Sequence, residues 1–281
     1  MQTKNVKQSK RWFKGWTGPK LGRLSAKLPR RRRRMRKYNA FELKVFMAGL
    51  MIFDHLDHIP EFLSPEVAGL FHVLTRCVGV WFAYAAVESF LYTRSRLNYI
   101  ARIFLAAAGM ALGNLLLNRL GEEAELSIHN NIFLTLGLGV VTLSALAELR
   151  LTASPWRKLG CLVGATAIVA LGCIFAEGGL VLLPFMLITF LCRKDPRRRN
   201  AFYLFLSVSL FAISYQPYPS WQTTVQMLAF NSDFLFITIL PFLRRYNGKR
   251  GPKNTGTILF FYLFYPLHLW IIQIIALLVA V

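Results

Sequence analysis

Hydrophobic and polar positions fall in long alternating blocks along this chain. After residue 40, nine apolar segments follow one another at roughly 41–59, 66–92, 99–119, 128–148, 159–176, 178–192, 201–218, 225–243 and 257–280. Each is near the ~20 residues that an α-helix needs to cross lipid. The pattern predicts an all-α fold, a polytopic transmembrane helical bundle of about nine spans. The fifth and sixth segments are parted only by Glu177-Gly178-Gly179, so a broken or re-entrant pair there would change the count.

The polar blocks between these segments sort by charge. Every second connection is basic: Arg94–Arg96, Arg150–Lys158, Arg193–Arg199 and Arg244–Lys253. The others hold Pro60–Pro65, then Glu122, Glu123 and Glu125, then Glu177, then Gln216–Gln222, with little positive charge. By the positive-inside rule the basic set is cytoplasmic. The N-terminus is then expected in the cytoplasm and the C-terminus outside, in the cell (inner) membrane. No removable signal peptide is expected ahead of the first apolar segment.

Composition agrees with a membrane protein, since 55% of the 281 residues are hydrophobic, above the share in an ordinary soluble domain. A net charge of +21 could suggest nucleic acid, but its location argues otherwise. Residues 1–40 hold 15 of the 34 Lys and Arg and no Asp or Glu, including Arg30–Arg34, Arg36 and Lys37. Residues 1–40 therefore read as a disordered basic cytoplasmic tail resting on anionic lipid of the bilayer, and no nucleic-acid partner is expected. Cys77, Cys161, Cys173 and Cys192 form no C-x-x-C pair, which suggests neither a disulfide framework nor a zinc site.

The candidate chemistry begins in Phe46–His58, FMAGLMIFDHLDH, where an apolar run ends in two carboxylates and two imidazoles. On a continuous α-helix at ~100° per residue, Asp54, His55, Asp57 and His58 share one face. Ionisable groups at membrane depth face a protein interior or a wet cavity. At ~1.5 Å per residue, Asp54 and His55 lie about 20 Å from the inner surface, Arg76 reaches a similar level, and Asp233 lies about 12 Å below the outer surface. His268 falls near mid-membrane and Asn130 and Asn131 near the outer rim. Five segments thus offer polar groups to one layer, which points to a common cavity.

Duller readings stand beside these. Arg76 could simply neutralise Asp54 or Asp233, Asn130 and Asn131 could be helix caps, and Glu88 could pair with Arg94 or Arg96. Tyr262, Tyr265 and Trp270 could be packing aromatics. His72 and His129 are expected to be solvated at the outer boundary. The spacing in DHLDH could also share a metal ion, but only one helix contributes two imidazoles, so no metal site is expected.

A histidine of near-neutral pKa can take a proton from an amine or hydroxyl attacking an activated acyl carbon. Arginine or amide donors can hold the oxyanion. Asp54 and His55 diverge by ~100° on a helix, so Asp54 is better placed to meet His58. The turn Arg244–Gly251 combines glycines with Lys and Arg, as would suit phosphates of a cytosolic donor. Topology alone also demands a basic loop there.

Several stretches together resemble the TraX family of integral membrane proteins, named for a protein associated with acetylating the N-terminus of conjugative pilin. They are Ile52–His55, Leu74–Arg94, and the pair YNGKRG (Tyr246–Gly251) with FYLFYPLHL (Phe261–Leu269), with weaker matches at Asn131–Leu138 and Glu177–Gly179. Val80 stands where the family carries a second arginine. The resemblance implies that residues 41–281 form a transmembrane TraX-like acyltransferase domain using acetyl-CoA as donor substrate. Catalytic roles are expected for Asp54, His55, His268 and Arg76, and substrate or charge-stabilising roles for Asn131, Glu88 and Asp233. Tyr246, Asn247, Lys249 and Arg250 would bind the donor. The expected acceptor is an amine or hydroxyl on a protein (a pilin N-terminus) or a cell-envelope glycan. A transporter using the same buried charges as an ion or proton relay is the alternative.

Overall fold

A computed structural model describes residues 37–121, 126–252 and 254–280. The basic run up to Arg36, the acidic Glu122, Glu123 and Glu125, and Lys253 lie outside the described residues. The described chain is all-helical, and its one strand-like pairing is a single parallel bridge between Tyr38 and Tyr246.

Among the described residues, eleven α-helices follow in order: α1 Ala40–Asp54, α2 Pro65–Thr75, α3 Cys77–Tyr92, α4 Arg96–Leu120, α5 Ile132–Glu148, α6 Pro155–Phe175, α7 Gly179–Leu191, α8 Pro196–Ser214, α9 Trp221–Phe230, α10 Leu240–Arg245 and α11 Thr255–Ala280. Short 3-10 segments cover Leu56–His58 and Ser232–Ile239. Each of the nine apolar segments therefore contains helix. Among the described residues, four stretches are long and apolar enough to cross a membrane: α2 with α3 (Pro65–Tyr92), α4, α6 and Leu259–Val279 within α11. A fifth arises if α9 and Ser232–Arg245, bent by 55° to one another, count as one span. The helices α1, α5 and α7 are shorter, at 15, 17 and 13 residues.

Local chemistry explains where the helices start. Asn39 and Glu42 form a reciprocal capping box at α1, each accepting from the other's backbone N–H, which satisfies two otherwise orphaned donors. Ser64, Ser95, Asn131, Asp195 and Ser220 cap α2, α4, α5, α8 and α9 through side-chain oxygens. Proline opens α2, α6 and α8, where its missing N–H does no harm. Between α6 and α7 the turn is made by Gly178 at φ +60°, a left-handed conformation that glycine adopts at little cost. At Gly179 any side chain would strike the Gly172 carbonyl, so a residue without one lets the two helices close into a hairpin.

The core gathers around α3, whose Cys77, Val78, Val80, Trp81, Ala83, Ala85, Ala86, Val87 and Phe90 are all buried. Helices that are apolar all round belong in such a centre. Phe185 of α7 stacks on Tyr203 of α8 at 4.5 Å, with Phe236 edge-on to both. The outside is no less apolar. Leu105, Leu162, Ile174, Phe175, Phe205 and Val208 are all exposed, and α6 is almost wholly uncovered. Water does not tolerate so much contiguous apolar surface; lipid does. This is a membrane protein.

Candidate functional site

The helix that carries the Asp-His motif stops at Asp54. The His55 N–H donates to the Ile52 carbonyl at 3.2 Å, a three-residue step that tightens the backbone into the 3-10 turn Leu56–His58. The expectation that Asp54, His55, Asp57 and His58 share one α-helical face is therefore corrected. Tightening the turn sends the carboxylates and the imidazoles to different neighbours.

Asp54 and Asp57 turn toward α2. Arg76, at the junction of α2 and α3, donates from Nη2 to Asp54 and from Nη1 to Asp233, each at 3.0 Å, and from Nε to the His72 carbonyl at 2.9 Å. The Thr75 hydroxyl also donates to Asp54. His72 stands between the two acids, with Nε2 3.0 Å from Asp57 Oδ2 and Nδ1 3.4 Å from Asp54. His72 is thus a partly buried member of the ion network, which corrects its expected place in solvent. The signal was available in the spacing, since His72 lies one helical turn before Arg76 and so shares its face. Asp54 pairs with Arg76, Thr75 and His72, and not with His58. Asp233 is the most exposed member, with half its side chain open.

His55 and His58 turn the other way, toward α11. The ring of His55 lies 5.3 Å from that of His58 and 5.3 Å from that of His268, between centroids. His55 and His268 are both buried. His268 Nδ1 lies 2.9 Å from the Phe264 carbonyl; a carbonyl only accepts, so Nδ1 carries the proton and a neutral ring keeps its lone pair on Nε2. That Nε2 is buried and has no partner among the described residues.

A closed circuit of hydrogen bonds holds the part of α11 that carries His268. The Trp270 indole donates to Asn114 of α4 at 3.0 Å, Asn114 to the Asn130 carbonyl at 2.9 Å, and the Asn130 side chain to Glu177 at 3.1 Å. Tyr265 returns the circuit to α11 by donating to Glu177 at 2.9 Å. Its ring lies 5.6 Å from His268. From the sequence, Tyr265 and Trp270 read as packing aromatics and Glu177 as part of a connection; here each makes a hydrogen bond of the circuit, together with Asn114. Gly113 makes room for the indole, where a Cβ would collide with Trp270. Asn131 is engaged at both ends of its amide, accepting from Leu134 N as the cap of α5 and donating to Ala107 O.

A second group gathers at the other end of α1. There the Arg244–Gly251 turn is stitched to the start of α1 by backbone bonds from Tyr38 to Arg245, Ala40 to Lys249 and Asn247 to Tyr38. Gly248 and Gly251 sit at φ +76° and +84°. Asn247 Oδ1 accepts from Lys249 N at 2.8 Å and folds the turn, while the Lys249 and Arg250 side chains are exposed. The Tyr246 hydroxyl donates to Glu88 at 2.6 Å, and its ring meets Trp81 and Tyr84 edge-on. Glu88 thus bonds a tyrosine rather than serving Arg94, and Arg96 packs over the Phe90 ring. The length of α1, about 22 Å at 1.5 Å per residue, separates this turn from the histidines.

The family model described as TraX protein matches residues 42–276. The chain belongs to the TraX family. No curated protein and no solved structure matches it. In this TraX chain the matched range takes in all but the first two residues of α1 and all but the last residues of α11. It therefore includes the ion network, the histidines, the Glu177 circuit and the YNGKRG turn.

Proposed function

We propose that this chain is a membrane-embedded acetyltransferase that moves an acetyl group from cytosolic acetyl-CoA to an amine or hydroxyl acceptor at the outer half of the membrane, a pilin N-terminus or an envelope glycan. The observation that carries the reading is the buried His55–His268 pair, with an unpartnered Nε2 on His268. In this reading the chain lies in the inner membrane in nine spans, with the N-terminus in the cytoplasm and the C-terminus outside. The shorter α1, α5 and α7 count among those spans.

Acetyl-CoA docks by its phosphates at Lys249 and Arg250, where the turn is held by Tyr246, Asn247 and the start of α1. Its acyl end extends along α1 toward the histidines. The acceptor nitrogen or oxygen attacks the acetyl carbon, its proton passes to His268 Nε2, the carbon–sulfur bond breaks, and CoA leaves as the thiolate. His55 packs against His268 and shares the positive charge that develops. Arg76 supplies fixed positive charge beside Asp54, and Asn131 holds the start of α5. Glu88 anchors the donor turn through Tyr246.

The test is transfer of label from acetyl-CoA in purified membranes, comparing the wild type with His55→Ala and His268→Ala. Unchanged transfer in both variants removes histidine from the mechanism. One observation favours a transporter as a second reading, namely the 55° break between α9 and Ser232–Arg245 with Asp233 beside it, since broken helices mark many ion pathways. Ion flux in liposomes without CoA would decide for it.

A further inference from the structure

One cation stands between the basic turn and the histidines. Lys44 lies on the second turn of α1, one turn beyond Ala40, whose N–H donates to the Lys249 carbonyl at 2.8 Å. A lysine near a helix end commonly runs back along the surface to water. Lys44 is half-buried instead, with Nζ 5.2 Å from the centre of the Phe261 ring of α11. Among the described residues it makes no hydrogen bond and no ion pair. The charges around it do not balance. Lys44 interacts electrostatically with Arg250, a like charge, and with Glu88, but Glu88 already accepts from the Tyr246 hydroxyl at 2.6 Å. Two cations thus share one carboxylate that a tyrosine occupies, and a phosphate supplies the oxygens such a group needs.

Length decides which phosphate. His55 follows Lys44 by 11 residues, about 16 Å at ~1.5 Å per residue. Both side chains meet α11, Lys44 over Phe261 and His55 beside His268. On the same side of α1, at ~100° per residue, Ala48 and Met51 stand between them, both buried. Ala48 is small, and Met51 is unbranched and adaptable. In a CoA thioester about 13 bonds separate the phosphate of the pantetheine arm from the sulfur, and at ~1.2 Å of advance per bond in an extended chain they too span about 16 Å. If that phosphate sat at the Lys249 turn, about 22 Å from the histidines along α1, the sulfur would fall about 6 Å short. At Lys44 it reaches them.

Resting on the acetyl-transfer reading, we propose that Lys44 holds the phosphate at the head of the donor's pantetheine arm, so that the interval from Lys44 to His55 selects thioesters of phosphopantetheine. Lys249 and Arg250, exposed in the turn below, take the remaining phosphates of the nucleotide. Lys44 binds and does not react: its ammonium fixes one end of the arm, and the length of the arm sets where the thioester carbon stops. The Phe261 ring under Nζ and the Tyr246–Glu88 bond hold the lysine and the turn at that spacing.

The experiment uses the full chain in lipid nanodiscs and titrates three ligands, each larger than the last by one part: pantetheine, phosphopantetheine and CoA. Transfer from their acetyl thioesters is followed beside binding, to a synthetic peptide with a free α-amine and, separately, to an oligosaccharide. The wild type is expected to bind phosphopantetheine about 10- to 100-fold more tightly than pantetheine, as one charge-assisted contact allows. Lys44→Met should abolish that step and Lys44→Arg should restore most of it. Lys158→Met, at a cation of another basic connection, should keep it. Lys249→Met should weaken the next step, from phosphopantetheine to CoA. A lysine that only supported the fold would weaken all three ligands alike, and that result counts against the proposal. If the wild type binds pantetheine and phosphopantetheine equally, or if Lys44→Met keeps the full step, the phosphate site is overturned while transfer from acetyl-CoA still stands. Wild-type protein that transfers no acetyl to either acceptor overturns both.

Discussion

The imidazole of His55, at the end of α1, lies 5.3 Å from that of His268, inside α11. The two residues come from the end of the first helix and from the last helix of the described chain, and both are buried. Burying a polar ring carries a cost that a hydrogen bond offsets, and His268 has one such bond, at Nδ1 to the Phe264 carbonyl.

If the pair acts as a unit, removing either ring should remove most of its effect. His55→Ala and His268→Ala are each expected to slow acetyl transfer by about 10²-fold or more, and the double variant should be little worse than the poorer single one. Initial rates with labelled acetyl-CoA measure this, and additive losses would mean that the rings work independently.

Arg76 is the counter-charge for two acids. Arg76→Ala strands Asp54 among α1, α2 and α3, and breaking such a partly buried pair is expected to cost about 3–5 kcal/mol. Asp233→Asn, at the half-exposed end of the network, should cost no more than about 1 kcal/mol. Thermal unfolding in detergent ranks the two, and equal losses would contradict the assignment of Arg76 to Asp54.

Tyr246→Phe removes only the hydroxyl that Glu88 accepts from at 2.6 Å. The loss should be about 1–3 kcal/mol, the penalty of leaving a partly buried carboxylate short of a donor. Adding Glu88→Gln to Tyr246→Phe should recover part of it, because the neutral amide is less costly to leave unpaired. A double-mutant cycle on melting temperature reads the coupling directly.

At Gly251 a Cβ would press on Asn39 and Phe41, at 2.7 and 2.8 Å, whereas at Gly248 it would meet nothing. Both positions have positive φ, so each alanine carries strain of about 1–3 kcal/mol. Only Gly251→Ala should also push the basic turn off the start of α1. If that turn holds the nucleotide end of the donor, Gly251→Ala raises KM for acetyl-CoA with kcat little changed, and Gly248→Ala does so much less.

Much of this molecule is written in local sequence. Apolar run length marked every helical segment, Pro65, Pro155 and Pro196 mark helix starts, and Asn131 caps α5 as its amide at a segment edge allowed. The run FMAGLMIFDHLDH pointed to the place where ionisable groups meet lipid depth. Such features depend on a residue and its near neighbours, and a single chain read alone contains them.

The pairings were decided only in three dimensions. Periodicity continued α1 through His58, but a 3-10 turn after Asp54 gave the acids to α2 and the imidazoles to α11. His72 looked like a boundary residue until α1 and α2 brought it between Asp54 and Asp57. Glu177 looked like part of a loop until Asn130 and Tyr265 closed around it. Which helix faces meet depends on side-chain fit between segments far apart in sequence, and hydrophobic period carries no record of that choice.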